Sequence, residues 1–341
     1  MKIIAPSVEI MRTGLETEMI IPEQFIEKVG RTCYKSEDKI TDDSAAKFVG
    51  NLIKRGHEAM IEHWSLIFQL GWNTYEQITA DWNNLLHDCD IYTEERLRPY
   101  LRFSDNMADD GELRYIVSGN MRAWRDFVKA YLNAYGYLPQ YIYGMIRNYP
   151  LFFPEYQDYV PPIINNIFML PVRVDELDEY ERDIHQDVTM KFVCDRGVSH
   201  EIVRHRVASF AQESTRYCNY GQDKFGSEIT VIRPSWCDLH NDMYKRWYES
   251  CLNAENGYFA LLDEGATPQE ARSVLPNSLK TEIIVTMNLD GWKHFFGLRC
   301  DPAAHPDMQE VAKMAQSLFE MELYDFDEEA PFDDLIGCTR D

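Results

Sequence analysis

Asp195–Tyr220, DRGVSHEIVRHRVASFAQESTRYCNY, packs more fixed cations and hydrogen-bonding side chains into a short span than any other stretch of the chain. Arg204, His205 and Arg206 are consecutive, whereas helical residues on one face recur three and four apart, so these three side chains must point in different directions. Val198, Ile202 and Val203 predict a short helix from about Ser199, capped by its hydroxyl and ending near the Arg-His-Arg run. The following SFAQESTRYCNYGQD lacks helical or alternating apolar periodicity and predicts an ordered polar loop, the kind of segment where binding and chemistry concentrate. Two readings of the arginines stand side by side. They complement the negative end of a helix dipole, or they form a cationic pocket for a phosphate or carboxylate, which guanidinium groups grip bidentately.

Composition narrows the ligand. The formal charge is -23, which argues against an extended surface for a nucleic acid polymer or an anionic membrane. A local arginine cluster in so acidic a chain suits a small anion. The 341 residues, 45% hydrophobic, can fill one large or two small cores. No apolar run approaches bilayer length and MKIIAPSVEIMR lacks a signal-peptide layout, which predicts a cytoplasmic location without a membrane anchor. The eight cysteines are scattered, with no CxxC, and read as reduced structural thiols.

Upstream, MKIIAPSVEIMR predicts an edge strand and Pro22 or Glu23 opens a helix carrying Phe25, Ile26 and Val29 to the core. Thr41 or Asp42 caps a second helix with the stripe Ala45, Phe48, Leu52 and Ile53. HEAMIEHWSLIFQL places His57, Glu58, Glu62 and His63 before a strand, Trp64 to Leu70. A zincin needs HExxH on one helix face, and here the histidines are six apart, so a hydrogen-bonded turn is predicted and no metal site. Residues 71–186 are crowded with aromatics and punctuated by prolines. Within them ELRYIVSGNMRAWRDFVKAYLNAYG predicts a strand, a Ser118-Gly119-Asn120 turn and an amphipathic helix bearing Trp124, Phe127, Val128 and Leu132.

Val188, Met190, Phe192 and Cys194 alternate as a half-buried strand leading into the central stretch. Downstream, EITVIRP is a short strand, followed by a long helix from about Ser235 to Leu262 whose buried stripe is Trp236, Leu239, Met243, Trp247 and Cys251. Then come a short helix at Pro268–Val274, a strand at Thr281–Met287 and a helix from Asn288 to Arg299.

Arg204-His205-Arg206, seven residues, then Ser214-Thr215-Arg216-Tyr217 resembles the signature of the flavin-dependent thymidylate synthases (ThyX). The later Ala-Arg-x-x-Leu-Pro, a strand ending in Asn, and Phe-Phe-x-Leu-Arg match that family's second half at Arg272, Asn288, His294 and Arg299. The HExxxEH segment resembles its flavin-contacting turn at the entry to the first core strand. The resemblance implies an α+β fold, a mixed or antiparallel sheet with flanking helices. The core is then residues 1–70 and 187–325, interrupted by a mostly helical insertion at 71–186 and followed by an acidic tail at 326–341.

It also implies dUMP converted to dTMP, with FAD as hydride carrier and methylenetetrahydrofolate and NADPH as co-substrates. The assembly it implies is a homotetramer with sites at subunit interfaces. By motif position, His57, Ala59, Arg204, His205, Arg206, Gln212, Asn288, Asp290 and His294 would hold flavin. Glu201, Arg204, Gln212, Glu213, Ser214, Thr215, Arg216, Arg272 and Arg299 would line the nucleotide site, with Arg299 catalytic. Ala211 and Gln212 stand where many members have Asn-Glu, Glu201 where Gln is frequent, and Ala59 and Cys33 where hydroxyl residues are common. No cysteine beside a base offers a protein nucleophile, which a flavin route does not need. Two rival readings remain: a non-catalytic nucleotide- or flavin-binding module that kept the arginine pocket, and a metal hydrolase built on His57, Glu58, Glu62 and His63.

Overall fold

A computed structural model describes residues 1–16, 20–88, 100–107, 111, 113–161, 168–216, 220–221, 226–238 and 241–323. Tyr217, Cys218, Leu239, Cys89, Cys338 and the acidic tail lie outside the described residues. The strands are β1 (Lys2–Ile4), β2 (Ser7–Arg12), β3 (Ser65–Leu70), β4 (Leu101–Met107), β5 (Leu113–Asn120), β6 (Met169–Pro171), β7 (Asp187–Asp195), β8 (Ser209–Gln212), β9 (Thr230–Ile232) and β10 (Lys280–Asn288). The helices are α1 (Pro22–Tyr34), α2 (Ser44–Lys54), α3 (Trp72–Asp88), α4 (Met121–Tyr135), α5 (Tyr143–Asn148), α6 (Glu179–His185), α7 (Arg196–Ile202), α8 (Asp242–Asp263), α9 (Pro268–Ala271), α10 (Leu289–Arg299) and α11 (Pro306–Leu323). The class is α+β.

Two four-stranded sheets carry the fold, in the orders β2-β7-β10-β8 and β4-β5-β3-β6, with all neighbours antiparallel. A separate parallel pair joins β1 to β9. β10 is buried along Thr281–Met287, because β7 and β8 flank it within the sheet while α10 and α1 pack against it. Each sheet has its own apolar core. One gathers Ile26, Phe68, Trp124, Phe127 and Phe152, and the other Phe192, Val285, Trp292, Phe295 and Phe319. Complete burial of side chains this large contributes about 1.5–3 kcal/mol each.

α1 forms as expected: Pro22 sits in its first turn, and Phe25, Ile26 and Val29 are buried. Other expectations need correction. α7 begins at Arg196, not Ser199, because Asp195 Oδ1 accepts from Val198 N at 2.7 Å and caps it first. SFAQ is a strand and not a loop: β8 pairs with β10 from Ser209↔Thr286 to Gln212↔Ile283. Ser118-Gly119-Asn120 ends a strand without a separate turn, since Asn120 itself caps α4. The second helix starts at Ser44 with Asp43 at its N-cap, not Thr41 or Asp42.

α8 starts only at Asp242, so Trp236 precedes it, and Trp236 and Met243 are exposed while Cys251 is buried. Strand Ser65–Leu70 does not open the β7-β10 sheet; it pairs with β5 and β6, both from residues 71–186. Among the described residues, no helix is long and apolar enough to cross a membrane.

Candidate functional site

The end of α7 and the end of α10 meet. Beyond Ile202 the chain turns so that His205 is buried while Arg204 and Arg206 are exposed, which realises the divergence required by three consecutive residues. Arg299, in the last turn of α10, donates from Nε to His205 Nε2 at 2.8 Å, from Nη1 to Glu201 Oε2 at 2.8 Å and from Nη2 to the Glu201 carbonyl at 3.2 Å. The His205 ring packs on Phe295 with centroids 4.7 Å apart. Burial, reinforced by Arg299 and His294, pushes the His205 imidazole down to about 4. His205 is therefore neutral near pH 7 and accepts at Nε2, which puts its proton on Nδ1. Three of the five N–H donors of Arg299 are engaged in this way.

A second group lies toward the other end of α7. Arg196 N donates to the Asn277 carbonyl at 2.9 Å, so the helix starts beside the turn that follows Arg272. Arg272 Nη1 donates to Thr215 Oγ1 at 3.2 Å. Gln212 Nε2 reaches Ser199 Oγ at 2.8 Å and Thr281 Oγ1 at 3.2 Å. Ser214 N is held by the Cys33 carbonyl at 3.0 Å, and its hydroxyl accepts from Arg216 N at 3.3 Å.

Buried Glu213 pairs with Lys280 at 2.9 Å, within a network that includes Glu282 and Lys35. Burial opposes the Glu282 charge, but Lys280 and Lys35 override it and hold the carboxyl down to about 2.

A cavity of about 390 Å³ adjoins the first group, within the range typical of small-molecule pockets. Arg206, Ser209, Asn288, Asp290 and His294 form one side of it, and Tyr100, Arg102 and Asn120 contribute from the other. Asn288 is fixed twice over: its Oδ1 accepts from Gly291 N at 3.1 Å, and its Nδ2 donates to the Asp183 and Ile184 carbonyls. Burial, with Asp183 nearby, raises the Asp290 carboxyl. Arg102 grips Asp187 bidentately at 2.7 and 2.9 Å. Among the described residues, its buried Nε has no partner. The amide, imidazole and hydroxyl groups on the wall fit the hydrogen-bonding edge of a planar heterocycle.

Not every expected residue joins these groups. His57 and Ala59 are exposed on the turn before β3 and are not among the residues lining the cavity. The HExxxEH side chains disperse: Glu58 pairs with Arg125, Glu62 with Arg122 and Ser209, and buried His63 with Thr286. Sequence reasoning missed Tyr100, Arg102, Asn120 and the His63–Thr286 bond. The signal that could have found them is the likeness of VSGN at Val117–Asn120 to VTMN at Val285–Asn288.

Residues 184–323 match the family described as thymidylate synthase complementing protein, Thy1. The flavin-dependent thymidylate synthase of Pyrococcus furiosus is 36% identical over 126 residues, 37% of this chain and 51% of that protein. The Geobacter sulfurreducens enzyme of the same name is 38% identical over 117 residues, 34% of this chain and 49% of that protein. The chain thus spans about half the length of the curated relatives it matches. A solved UMP/dUMP methylase, PolB from Streptomyces cacaoi, aligns over 40% of this chain and 67% of its own at 22% identity, with a TM-score of 0.34, too slight a superposition to support an argument. The Thy1 match covers α7, β8, β10, α10 and with them both residue groups described above.

Proposed function

We propose that the protein is a flavin-dependent thymidylate synthase that methylates dUMP to dTMP, with methylenetetrahydrofolate as carbon donor and NADPH as reductant. The observation that carries this reading is the convergence of Glu201, His205 and Arg299, from two separate motifs, beside a cavity lined by Arg206, Asn288 and His294. Arg206, Asn288 and His294 would hold FAD at that cavity, with Asp290 at its rim. When bound, FAD supplies the hydride that no side chain can provide. The chain's own task is orientation and electrostatics.

Arg299 is held rigid by the Glu201 carboxylate and carbonyl and by neutral His205, so its remaining donors are aimed without reorganisation. A fixed cation there stabilises negative charge developing on the pyrimidine and makes C5 a better nucleophile. Gln212, Glu213, Ser214 and Arg216, with Arg272 braced on Thr215, would hold the nucleotide and its phosphate. No protein nucleophile is required. Consistent with that, burial pushes the Cys33 thiol up to about 11 and the Cys300 thiol to about 11, and raises Cys194 and Cys251 as well; thiolates are disfavoured at all four. Ser214 hydrogen-bonds backbone and serves binding.

A cytoplasmic homotetramer with sites shared between subunits belongs to the same reading. The test is rescue of a thymidine-requiring strain that lacks its own synthase. Growth without thymidine supports the reading; a soluble, flavin-loaded protein that fails to rescue favours a binding module without turnover.

A further inference from the structure

IVSGNMRAWRDF at 116–127 and IVTMNLDGWKHF at 284–295 share Ile, Val, Asn, Trp and Phe at the same places. In each, a strand runs into a helix capped by the shared Asn. Asn120 Oδ1 accepts from Ala123 N at 2.8 Å, and Asn288 Oδ1 accepts from Gly291 N at 3.1 Å. Trp124 and Phe127 in one helix, and Trp292 and Phe295 in the other, are all fully buried. The partner strands correspond as well: Ser65 of β3 lies opposite Asn120, and Asp187 of β7 lies opposite Asn288. A buried histidine stands two residues before each, His63 and His185.

The two units exchange the same contact. His63 Nδ1 bonds Thr286 Oγ1, two residues before Asn288, and His185 Nδ1 bonds Ser118 Oγ, two residues before Asn120, both at 2.7 Å. Reciprocal contacts of this kind, i to j and j to i, are the mark of a twofold interface. A residue that meets its own counterpart lies on the axis, and Ser65 Oγ donates to the carboxylate of its counterpart Asp187. The cavity sits at that point. Three counterpart pairs line it: Ser65 and Asp187, Asn120 and Asn288, and Arg102 and Ser209, the last two facing Ser118 and Thr286 across their sheets.

We infer that the chain contains two copies of one strand–strand–helix unit packed about an internal pseudo-twofold axis, and that the cavity on this axis grips its ligand from both copies, with Tyr100 and Asn120 of the first copy as binding residues. The first copy closes, within the same chain, a wall of the site whose other wall is Arg206, Asn288 and His294. The copies have diverged in chemistry, because Arg122, Asp126 and Tyr131 stand where the second copy has Asp290, His294 and Arg299. The ligand class that suits amides and arginines on two sides and an aromatic ring on one is a planar heteroaromatic ring with hydrogen-bonding edges. Its identification with flavin rests on the function proposed above.

The test is titration of the purified full chain with FAD, followed by quenching of flavin fluorescence. Wild type should bind saturably, and Arg206→Ala and Tyr100→Ala should each raise Kd about tenfold with an unchanged thermal midpoint. Asn120→Ser keeps a capping oxygen while removing the amide from the cavity, and should also weaken FAD. If Arg206→Ala weakens binding while Tyr100→Ala and Asn120→Ser bind as wild type does, the two-copy site is overturned and the flavin reading stands. If wild type itself binds no FAD, the flavin reading is overturned and this inference with it.

Discussion

The units β5–α4 and β10–α10 have the same scaffold and different chemistry. Both run a buried strand into an Asn-capped helix with a fully buried Trp four residues on, yet only the second ends in an arginine locked against a neutral histidine. At the strand end the first has Gly119, where an added Cβ would collide with Leu101 Cδ2 and lie 3.1 Å from the Tyr100 carbonyl. The second has buried Met287 at that place. The difference teaches that the packing set, Asn, Trp and Phe, defines the unit, while the polar positions around it decide what the unit does.

Four tests break or sharpen that comparison, from largest effect to smallest. Truncating the shared tryptophans tests the packing set: Trp124→Ala and Trp292→Ala should each cost about 3–5 kcal/mol in denaturant unfolding. Trp292→Ala should cost about 1 kcal/mol more, because Trp292 Nε1 donates to the Val188 carbonyl at 3.0 Å while Trp124 Nε1 has no partner among the described residues. Equal and small losses would remove the packing argument. Removing the diverged arginine tests the chemistry. Arg299→Ala should lower kcat about 10²–10³-fold with much less change in dUMP affinity, whereas Tyr131→Phe at the corresponding place should leave kcat near wild type. Steady-state kinetics separates the two.

The seam between the copies should be acid-sensitive. Burial pushes His63 and His185 down to about 3, and His205 sits at about 4, against an ordinary histidine value of about 6.5. Below that value the unfolded chain takes up protons that the folded chain refuses. Stability from these groups is therefore complete above about pH 6.5 and falls as pH drops toward 4, by about 1.4 kcal/mol per pH unit for each proton. Unfolding free energy measured against pH should show this slope, and His63→Gln should reduce it by about a third. The smallest effect concerns the caps: Asn120→Ala and Asn288→Ala should each cost about 1 kcal/mol, read from denaturation midpoints.

Legibility followed the strength of the local signal. α1 announced itself by Pro22 and a clean apolar stripe, and β7 by alternation. β8 was hidden because its inward residues, Ser209 and Ala211, are small, so four residues of strand look polar. The sheet around β3 was hidden because β4, LRFSDNM, alternates poorly and β6 has three residues. Asp195 took the cap assigned to Ser199 because it reaches Val198 N three residues on. In the site, Glu201, His205 and Arg299 were named from motif likeness, but nothing local says that their side chains meet. Tyr100 and Asn120 belong to a segment without motif likeness to the family, and only comparison of one part of the chain with another reveals their place.

The central claim is tested most directly by incubating purified, FAD-loaded protein with dUMP, methylenetetrahydrofolate and NADPH and measuring dTMP. The account predicts dTMP formation that depends on each component and collapses in Arg299→Ala. Folded protein that binds both FAD and dUMP yet forms no dTMP would contradict it.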